Sequence, residues 1–175
     1  MSIRTYLNYQ PNIDDSCYID EAATIIGQVT IGKHCSIWPQ AVIRGDVNHI
    51  KIGDYTNIQD GSILHCTHDG PYTKGGQQLI IGKYNTIGHL AMLHAAQIED
   101  YCLIGMNTIL LDKCQIGSHT LIAAGSLVPQ NKILEPGYLW LGNPVKKIRK
   151  LSQMELDNIE YSAHNYAELA QNYLK

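Results

Sequence analysis

The chain of 175 residues has the length of one ordinary domain, and its formal net charge of −3 provides no basic field for binding nucleic acid. It contains no Phe, 17% of its residues are charged where roughly 25% is typical, and no stretch is long and apolar enough to span a membrane. Five cysteines without a CxxC pair, and the absence of a visible signal peptide, predict free thiols and a cytoplasmic location.

An aliphatic residue recurs at every sixth position between Ile19 and Val128, with short interruptions. The registered positions are Ile19, Ile25, Ile31, Ile37, Ile43, Ile52, Ile58, Leu64, Ile81, Ile87, Leu93, Ile98, Ile104, Leu110, Ile116, Ile122 and Val128. A period of six is neither helical nor a simple strand alternation, and it is typical of a short strand followed by a tight turn. Three such units close one triangular coil. The sequence therefore predicts an all-β fold, a left-handed parallel β-helix of hexapeptide repeats over about residues 13–130.

The position four residues after each registered aliphatic is usually small. It is occupied by Cys35, Cys102 and Cys114 among others, which we interpret as small core residues at the corners of the prism rather than as a ligand set.

The repeat is followed by a segment rich in Pro and Gly and then by a helical pattern. Residues 131–150 are predicted to form an irregular crossing. Ser152 and Glu155 have the spacing of a capping box, and apolar residues then recur at helical intervals. We expect a helix over residues 151–174 and a single domain covering residues 1–175.

The position of each histidine in the repeat predicts the face of the prism from which its side chain points outward. Arg44, His65 and His94 each directly follow a registered aliphatic on the same face, so we expect one outward column with neighbours about 4.8 Å apart. Two imidazoles stacked in this way can share a metal ion at about 2.1 Å. His89 leaves the prism elsewhere, so we expect a neighbouring subunit to supply it, and a three-sided prism suits a threefold axis.

These motifs together resemble those of the γ-class carbonic anhydrase family, most closely its shorter bacterial branch. The resemblance covers nearly the whole chain, and the segments that carry it are Ile43-Arg-Gly-Asp46, residues 52–60, Leu64-His65, Ile87-Gly-His89, Leu93-His94 and residues 137–146. The hexapeptide repeat alone is not specific, because acyltransferases share it.

The resemblance implies a homotrimer that hydrates CO2 reversibly by a metal-bound hydroxide at each subunit interface. The metal would be zinc, or iron or cobalt in some members, and it would be held by His65 and His94 of one subunit and His89 of its neighbour. The resemblance further implies an interface ion pair, Arg44 with Asp46, and two pocket amides, Asn57 and Gln59. It also implies that Asp60 supports Arg44 or the neighbouring subunit and that Tyr161 is a pocket tyrosine.

Two departures from the family pattern leave other functions open. Val47 stands where some active members carry a Glu, and the loop over residues 67–78 is short, so the usual proton-shuttle acids are missing. The alternatives are a metal-dependent acyl-CoA thioesterase-like hydrolase and a catalytically weak trimeric scaffold or bicarbonate-binding protein.

Overall fold

The structure is a computed structural model that describes residues 2–175. Its main body is a three-sided prism of short parallel strands, in which one strand from each side forms a rung of the stack. A first sheet covers two sides, because its long strands β4 and β6 bend around a shared corner, and a second sheet covers the third side.

Each side of the prism is named here as a face. Face A contains β1 (Ser2–Arg4), the first part of β4 (Thr24–Ile31), the first part of β6 (Val42–Ile52), β8 (Ile63–His65), β11 (Met92–His94), β14 (Ile109–Leu110) and β17 (Leu127–Val128). Face B contains β2 (Asn12–Ile13), the second parts of β4 and β6, β9 (Leu79–Ile81), β12 (Gln97–Ile98), β15 (Gln115–Ile116) and β18 (Ile133–Leu134). Face C contains β3 (Tyr18–Ile19), β5 (Ser36–Ile37), β7 (Asn57–Ile58), β10 (Thr86–Ile87), β13 (Leu103–Ile104), β16 (Leu121–Ile122) and β19 (Tyr138–Gly142), which is joined to the antiparallel strand β20 (Val145–Lys150).

The registered aliphatic residues fill the inside of the prism. Ile37, Ile58, Ile87 and Ile104 succeed one another in register on face C and are fully buried. The small residues four positions later are also buried, and all five cysteines are buried free thiols. The predicted parallel β-helix of hexapeptide repeats is confirmed, and so is the role of the cysteines as small core residues.

The predicted irregular crossing over residues 131–150 is wrong, because the repeat continues through it. Leu134 and Trp140 follow Val128 at steps of six, and both are buried in the inward column. Trp140 pairs in register with Ile122 on one side, and on the other side it pairs with Lys147 of the antiparallel strand β20, so the regular stack of parallel rungs on face C ends at this indole. This last turn is hard to recognise in the sequence, because it contains prolines and because Trp140 stands where earlier turns have an aliphatic residue.

The helix α1 (Gln153–Tyr173) confirms the C-terminal helical prediction. The Ser152 side chain accepts from the Glu155 backbone N–H while the Glu155 carboxylate accepts from the Ser152 N–H, so the predicted capping box is present. Ile159, Ala163 and Ala170 are buried on the side of α1 that faces the prism. Within residues 2–175, no helix has both the length and the apolar character that crossing a bilayer requires.

The helix runs back along face C towards the first rungs. Its last turns contact Tyr18 and Trp38, with ring centroids of Trp38 and Tyr173 5.3 Å apart and those of Trp38 and Tyr166 5.6 Å apart. These aromatic rings pack between α1 and the first strands of face C, and they cover the outer surface of that face.

Candidate metal centre

The parallel register of face A brings three polar side chains into one column on the outside of the prism. Arg44 pairs with His65, and His65 pairs with His94, on three successive rungs. The residues before them, Ile43, Leu64 and Leu93, point inward and are fully buried. Because side chains alternate along a strand, the polar neighbours must point outward.

The two histidines of this column turn a nitrogen towards each other. Nδ1 of His65 lies 3.2 Å from Nε2 of His94. The remaining nitrogens each bind a carboxylate: Nε2 of His65 lies 2.9 Å from Asp46, and Nδ1 of His94 lies 2.7 Å from Asp112. Since an ionised carboxylate can only accept, each ring places its N–H on the carboxylate side. The two nitrogens that face each other therefore both present lone pairs.

A shared cation relieves the repulsion between two converging lone pairs, and the observed separation suits one. Two nitrogens about 2.1 Å from a tetrahedral zinc ion are about 3.4 Å apart. Burial lowers the pKa of His65 below its ordinary value, so this ring is held in the neutral form that binds metals. The donor set therefore fits a divalent ion such as zinc, with carboxylates on the far ring nitrogens that orient the ligands and raise their basicity.

The two carboxylates behind the imidazoles remain ionised. Burial alone would raise the pKa of Asp46, but hydrogen bonds from His65 and Arg44 outweigh it and hold that pKa below its usual range. The same balance, with hydrogen bonds from Thr67 and His94, lowers the pKa of Asp112. The Arg44–Asp46 pair is formed within one chain, and the arginine side chain is 44% exposed.

Asp112 is a residue that the sequence analysis missed. It lies two residues after the registered Leu110, on the rung that follows His94 on face A. An acidic residue one rung beyond a candidate ligand is the signal that could have identified it.

His89 lies at the corner between faces C and A, in the turn that joins β10 to β11. Its Nδ1 is 2.8 Å from Asp60, which occupies the equivalent corner position one rung earlier because Ile58 and Ile87 are in register. Asp60 thus supports His89 rather than Arg44. Within residues 2–175, Nε2 of His89 makes no hydrogen bond, and no three His, Cys, Asp or Glu side chains of one chain are grouped to hold a metal.

The two predicted pocket amides form one buried network beside His89. The Gln59 oxygen accepts from the backbone N–H of His89 at 3.2 Å, and its Nε2 donates to Oδ1 of Asn57 at 3.1 Å. Asn57 in turn donates to the carbonyl oxygen of Asn85 and to the Thr86 hydroxyl. These contacts fix both amide orientations and leave one N–H of Gln59 free to donate.

An open apolar cavity of about 400 Å³ begins at this network and runs between face C and α1. Gln59 and His89 line one end, and Leu103, Leu121 and Tyr166 line its length. The structure does not bring Tyr161 to this cavity: its side chain is 65% exposed on the outer side of α1, with its hydroxyl 3.5 Å from Asn165. Tyr166 is the helix tyrosine that reaches the cavity of its own chain.

Comparison with known proteins finds relatives over nearly the whole chain, among them Protein YrdA of Escherichia coli, 48% identical over 172 residues, and several proteins named carbonic anhydrase. It is 42% identical over 171 residues to a carbonic anhydrase of Geobacillus kaustophilus, covering 98% of this chain and 90% of that protein. It is also 42% identical to the mitochondrial γ carbonic anhydrase 2 of Arabidopsis thaliana, over 96% of this chain and 61% of the longer plant protein. The chain belongs to the γ-carbonic anhydrase family.

The fold of this γ-carbonic anhydrase family member recurs in solved structures. A hexapeptide transferase family protein from Anaplasma phagocytophilum, 37% identical, superimposes with a TM-score of 0.91 and covers 98% of each chain. The family model for bacterial transferase hexapeptides (six repeats) matches residues 11–45 and 95–130, within the β-helix.

Proposed function

We propose that this protein is a carbonic anhydrase that hydrates CO2 reversibly at a divalent metal, most simply zinc, with iron or cobalt as alternatives. The metal would be held by His65 and His94 of one subunit and His89 of its neighbour in a homotrimer. The five free buried thiols support a reducing compartment, and we place the protein in the cytoplasm.

The observation that carries the proposal is the pair of facing lone pairs on His65 and His94. A carboxylate fixes the tautomer of each of these rings, and a third carboxylate, Asp60, does the same for His89. Three neutral imidazoles oriented in this way match the donor set of catalytic zinc sites, which keep one position open.

The surface around the histidines supports a site between subunits. An apolar row on face A runs beside the imidazole column, in register on five rungs: Val42, Ile63, Met92, Ile109 and Leu127. Ile63 and Met92 are more than two-fifths exposed, and Leu90, next to His89, is 64% exposed. Covering these side chains with a second copy would bury apolar area and bring His89 to the column of its neighbour.

A metal bound by these residues would supply a Lewis acid that activates water at neutral pH. The free N–H of Gln59 would donate to an oxygen of CO2 or bicarbonate, since its amide is already oriented by Asn57 and His89. The half-exposed guanidinium of Arg44 would attract the bicarbonate anion, while Asp46 partly neutralises it and keeps it in place.

Stopped-flow measurement of CO2 hydration tests the activity. Protein stripped of metal and reloaded with zinc, cobalt or anaerobic ferrous iron should be active, and His94→Ala should be inactive with the trimer intact. His164→Ala is the matched control, since His164 is exposed on α1, and it should keep full activity. Absence of hydration with all three metals would contradict the proposal.

Co-expression of two inactive variants tests whether the site is shared. His94→Ala retains His89, and His89→Ala retains His65 and His94, so mixed trimers should regain complete sites at some interfaces. A site built within one chain would show no recovery. The mass of the assembly in solution should be near three times 19.5 kDa.

The cavity beside Gln59 and His89 favours metal-dependent thioester hydrolysis as a second candidate. Its length along Leu103 and Leu121 is lined by apolar side chains, which CO2 does not require but an acyl chain would contact. A panel of acyl-CoA thioesters of increasing chain length distinguishes the two functions: chain-length-dependent hydrolysis would support this candidate, and no hydrolysis would remove it.

A further inference from the structure

Five aromatic rings form a continuous stack along the corner between faces B and C, far from the histidine column. We call it the corner stack, and in order it consists of His34, Tyr55, Tyr84, Tyr101 and His119. Successive ring centroids lie 4.8 to 5.1 Å apart, and three of the four pairs are parallel within 9°. The spacing equals the separation of neighbouring parallel strands, so each rung contributes one ring.

The backbone follows the same pattern at each position of the corner stack. Every member has a positive φ between 54° and 56°. From Tyr55 onward, each backbone N–H donates to the carbonyl of the residue that precedes the ring below, as Tyr101 does to Lys83 and His119 does to Asp100. The pattern therefore identifies the next position of the column by its hydrogen bond.

Gly137 is that next position, and it has no ring. Its N–H is shared between the carbonyl of Ser118, the residue before His119, at 3.2 Å and the carbonyl of His119 at 3.1 Å, and its φ is +80°. A Cβ placed on Gly137 would have no heavy atom within 4 Å. The corner stack thus ends one ring short, with open space above the imidazole of His119.

This space belongs to a cavity of about 410 Å³ between the end of the corner stack and the first turns of α1. Tyr101, His119 and Gly137 line one side, and Leu156, Asp157 and Glu160 line the other. The Asp157 carboxylate is oriented by Nε2 of Gln153 at 2.7 Å. Among residues 2–175, the Glu160 carboxylate has no hydrogen-bonding or ion-pair partner, so it is free to accept from a ligand.

We propose that this cavity binds a purine nucleoside, whose base continues the corner stack on His119 and whose amino edge donates to Asp157 and Glu160. A flat ring satisfies the stacking geometry, and carboxylates, which only accept, select the amino groups of a purine. The two negative charges disfavour phosphate groups, which distinguishes a nucleoside from a nucleotide. The volume is within the range of small-molecule sites.

Calorimetric titration with guanosine and adenosine, with uridine and ribose as controls, tests the proposal. Saturable binding is expected for the two purine nucleosides, and ribose should not bind. Uridine, which has no amino group, should bind at least about fivefold more weakly. No saturable binding of either purine nucleoside, or equal binding of uridine, would overturn the proposal.

The missing ring provides a selective variant. Gly137→Tyr adds the sixth ring, and five non-glycine residues of the same column already adopt a similar backbone conformation. This variant should fold, as judged by circular dichroism and trimer mass, and should lose purine binding. A folded Gly137→Tyr protein that still binds would overturn the proposal.

A second pair of variants keeps the proposal testable if Gly137→Tyr does not fold. His119→Ala removes the ring at the open end of the corner stack, and His34→Ala is the matched control at its opposite end. Loss of the stacking platform should weaken purine binding by at least about fivefold, whereas His34→Ala should leave it unchanged. Equal effects of the two variants would contradict the site. This readout does not depend on metal or on CO2 hydration.

Discussion

Nδ1 of His65 and Nε2 of His94 face each other at 3.2 Å, and neither has a proton to share, because Asp46 and Asp112 hold the N–H groups of the two rings. The arrangement is costly for an isolated chain and favourable around a cation. In the proposed metal site the carboxylates would therefore orient the imidazoles and raise their affinity for the metal.

Replacing Asp112 should weaken metal binding without unfolding the protein. Asp112→Asn keeps the shape of the side chain but removes the charge that orients His94 and raises its basicity, so we expect zinc affinity to fall about 10- to 100-fold. Competition with a chromogenic chelator measures the change. Asp54→Asn, at another corner of the prism, is the control and should leave zinc affinity unchanged. Equal affinities of Asp112→Asn and the wild type would show that this carboxylate has no role at the metal.

Acid should destabilise the metal-free protein in two separate steps. The pKa of His65 is lowered from 6.5 by burial, so its contribution to the free energy of unfolding is full above 6.5 and is lost as the pH falls through the folded value. The lowered pKa values of Asp46 and Asp112 add stability that is full above 3.8 and lost at still lower pH.

Urea unfolding of the metal-free protein at a series of pH values measures both steps. His65→Gln should remove the first step and leave the second. Combining Asp46→Asn with Asp112→Asn should reduce the second. A pH profile that does not change in either variant would contradict this assignment.

The cysteines should differ in their reactivity with iodoacetamide. Burial raises the pKa of Cys102 and of Cys114 to about 12, so almost no thiolate is present at neutral pH. A hydrogen bond with Cys35 lowers the pKa of Cys17, which is also the most exposed of the five at 8%. Mass spectrometry of the native protein should therefore find Cys17 alkylated first. All five thiols should react in urea, and early labelling of Cys102 would contradict the prediction.

An aromatic ring should not fit between two aliphatic rungs in the middle of the prism. Ile104 is fully buried between Ile87 and Ile122 on neighbouring rungs, so Ile104→Phe should lower the free energy of unfolding by about 1–3 kcal/mol. Ile133→Phe is the control, since this side chain points outward on face B and is 63% exposed. Chemical denaturation compares the two. A neutral effect of Ile104→Phe would show that the prism can widen.

The period of six was sufficient to predict the fold, because each registered residue has one environment on every rung. The prediction stopped at Val128 because prolines interrupt the segment that follows and Trp140 replaces an aliphatic residue, although Leu134 keeps the step of six. The absence of Phe agrees with this packing, because aliphatic residues fill the inside of the prism, while the aromatic rings lie at the end of the inward column, at the outer corners and between face C and α1.

The candidate ligands were also predictable, since position relative to the registered aliphatic determines the face from which a side chain leaves. Contacts between residues distant in sequence were harder to infer. Asp112 binds His94 across 18 residues, and the sequence offers only an acidic residue on the following rung. The place of Tyr161 depends on the rotation of α1 about its axis, which is set by the packing of Ile159, Ala163 and Ala170 rather than by any local pattern.

The return of α1 along face C has a consequence for how the molecule unfolds. Solenoids contact only their nearest neighbours and can fray from either end, so their cooperativity is limited. Here one helix begins beside Gly137 near the last rung and ends on Tyr18 and Trp38 near the first. Loss of either end therefore releases the same helix, so we expect this solenoid to unfold in one all-or-none transition, as a globular domain does.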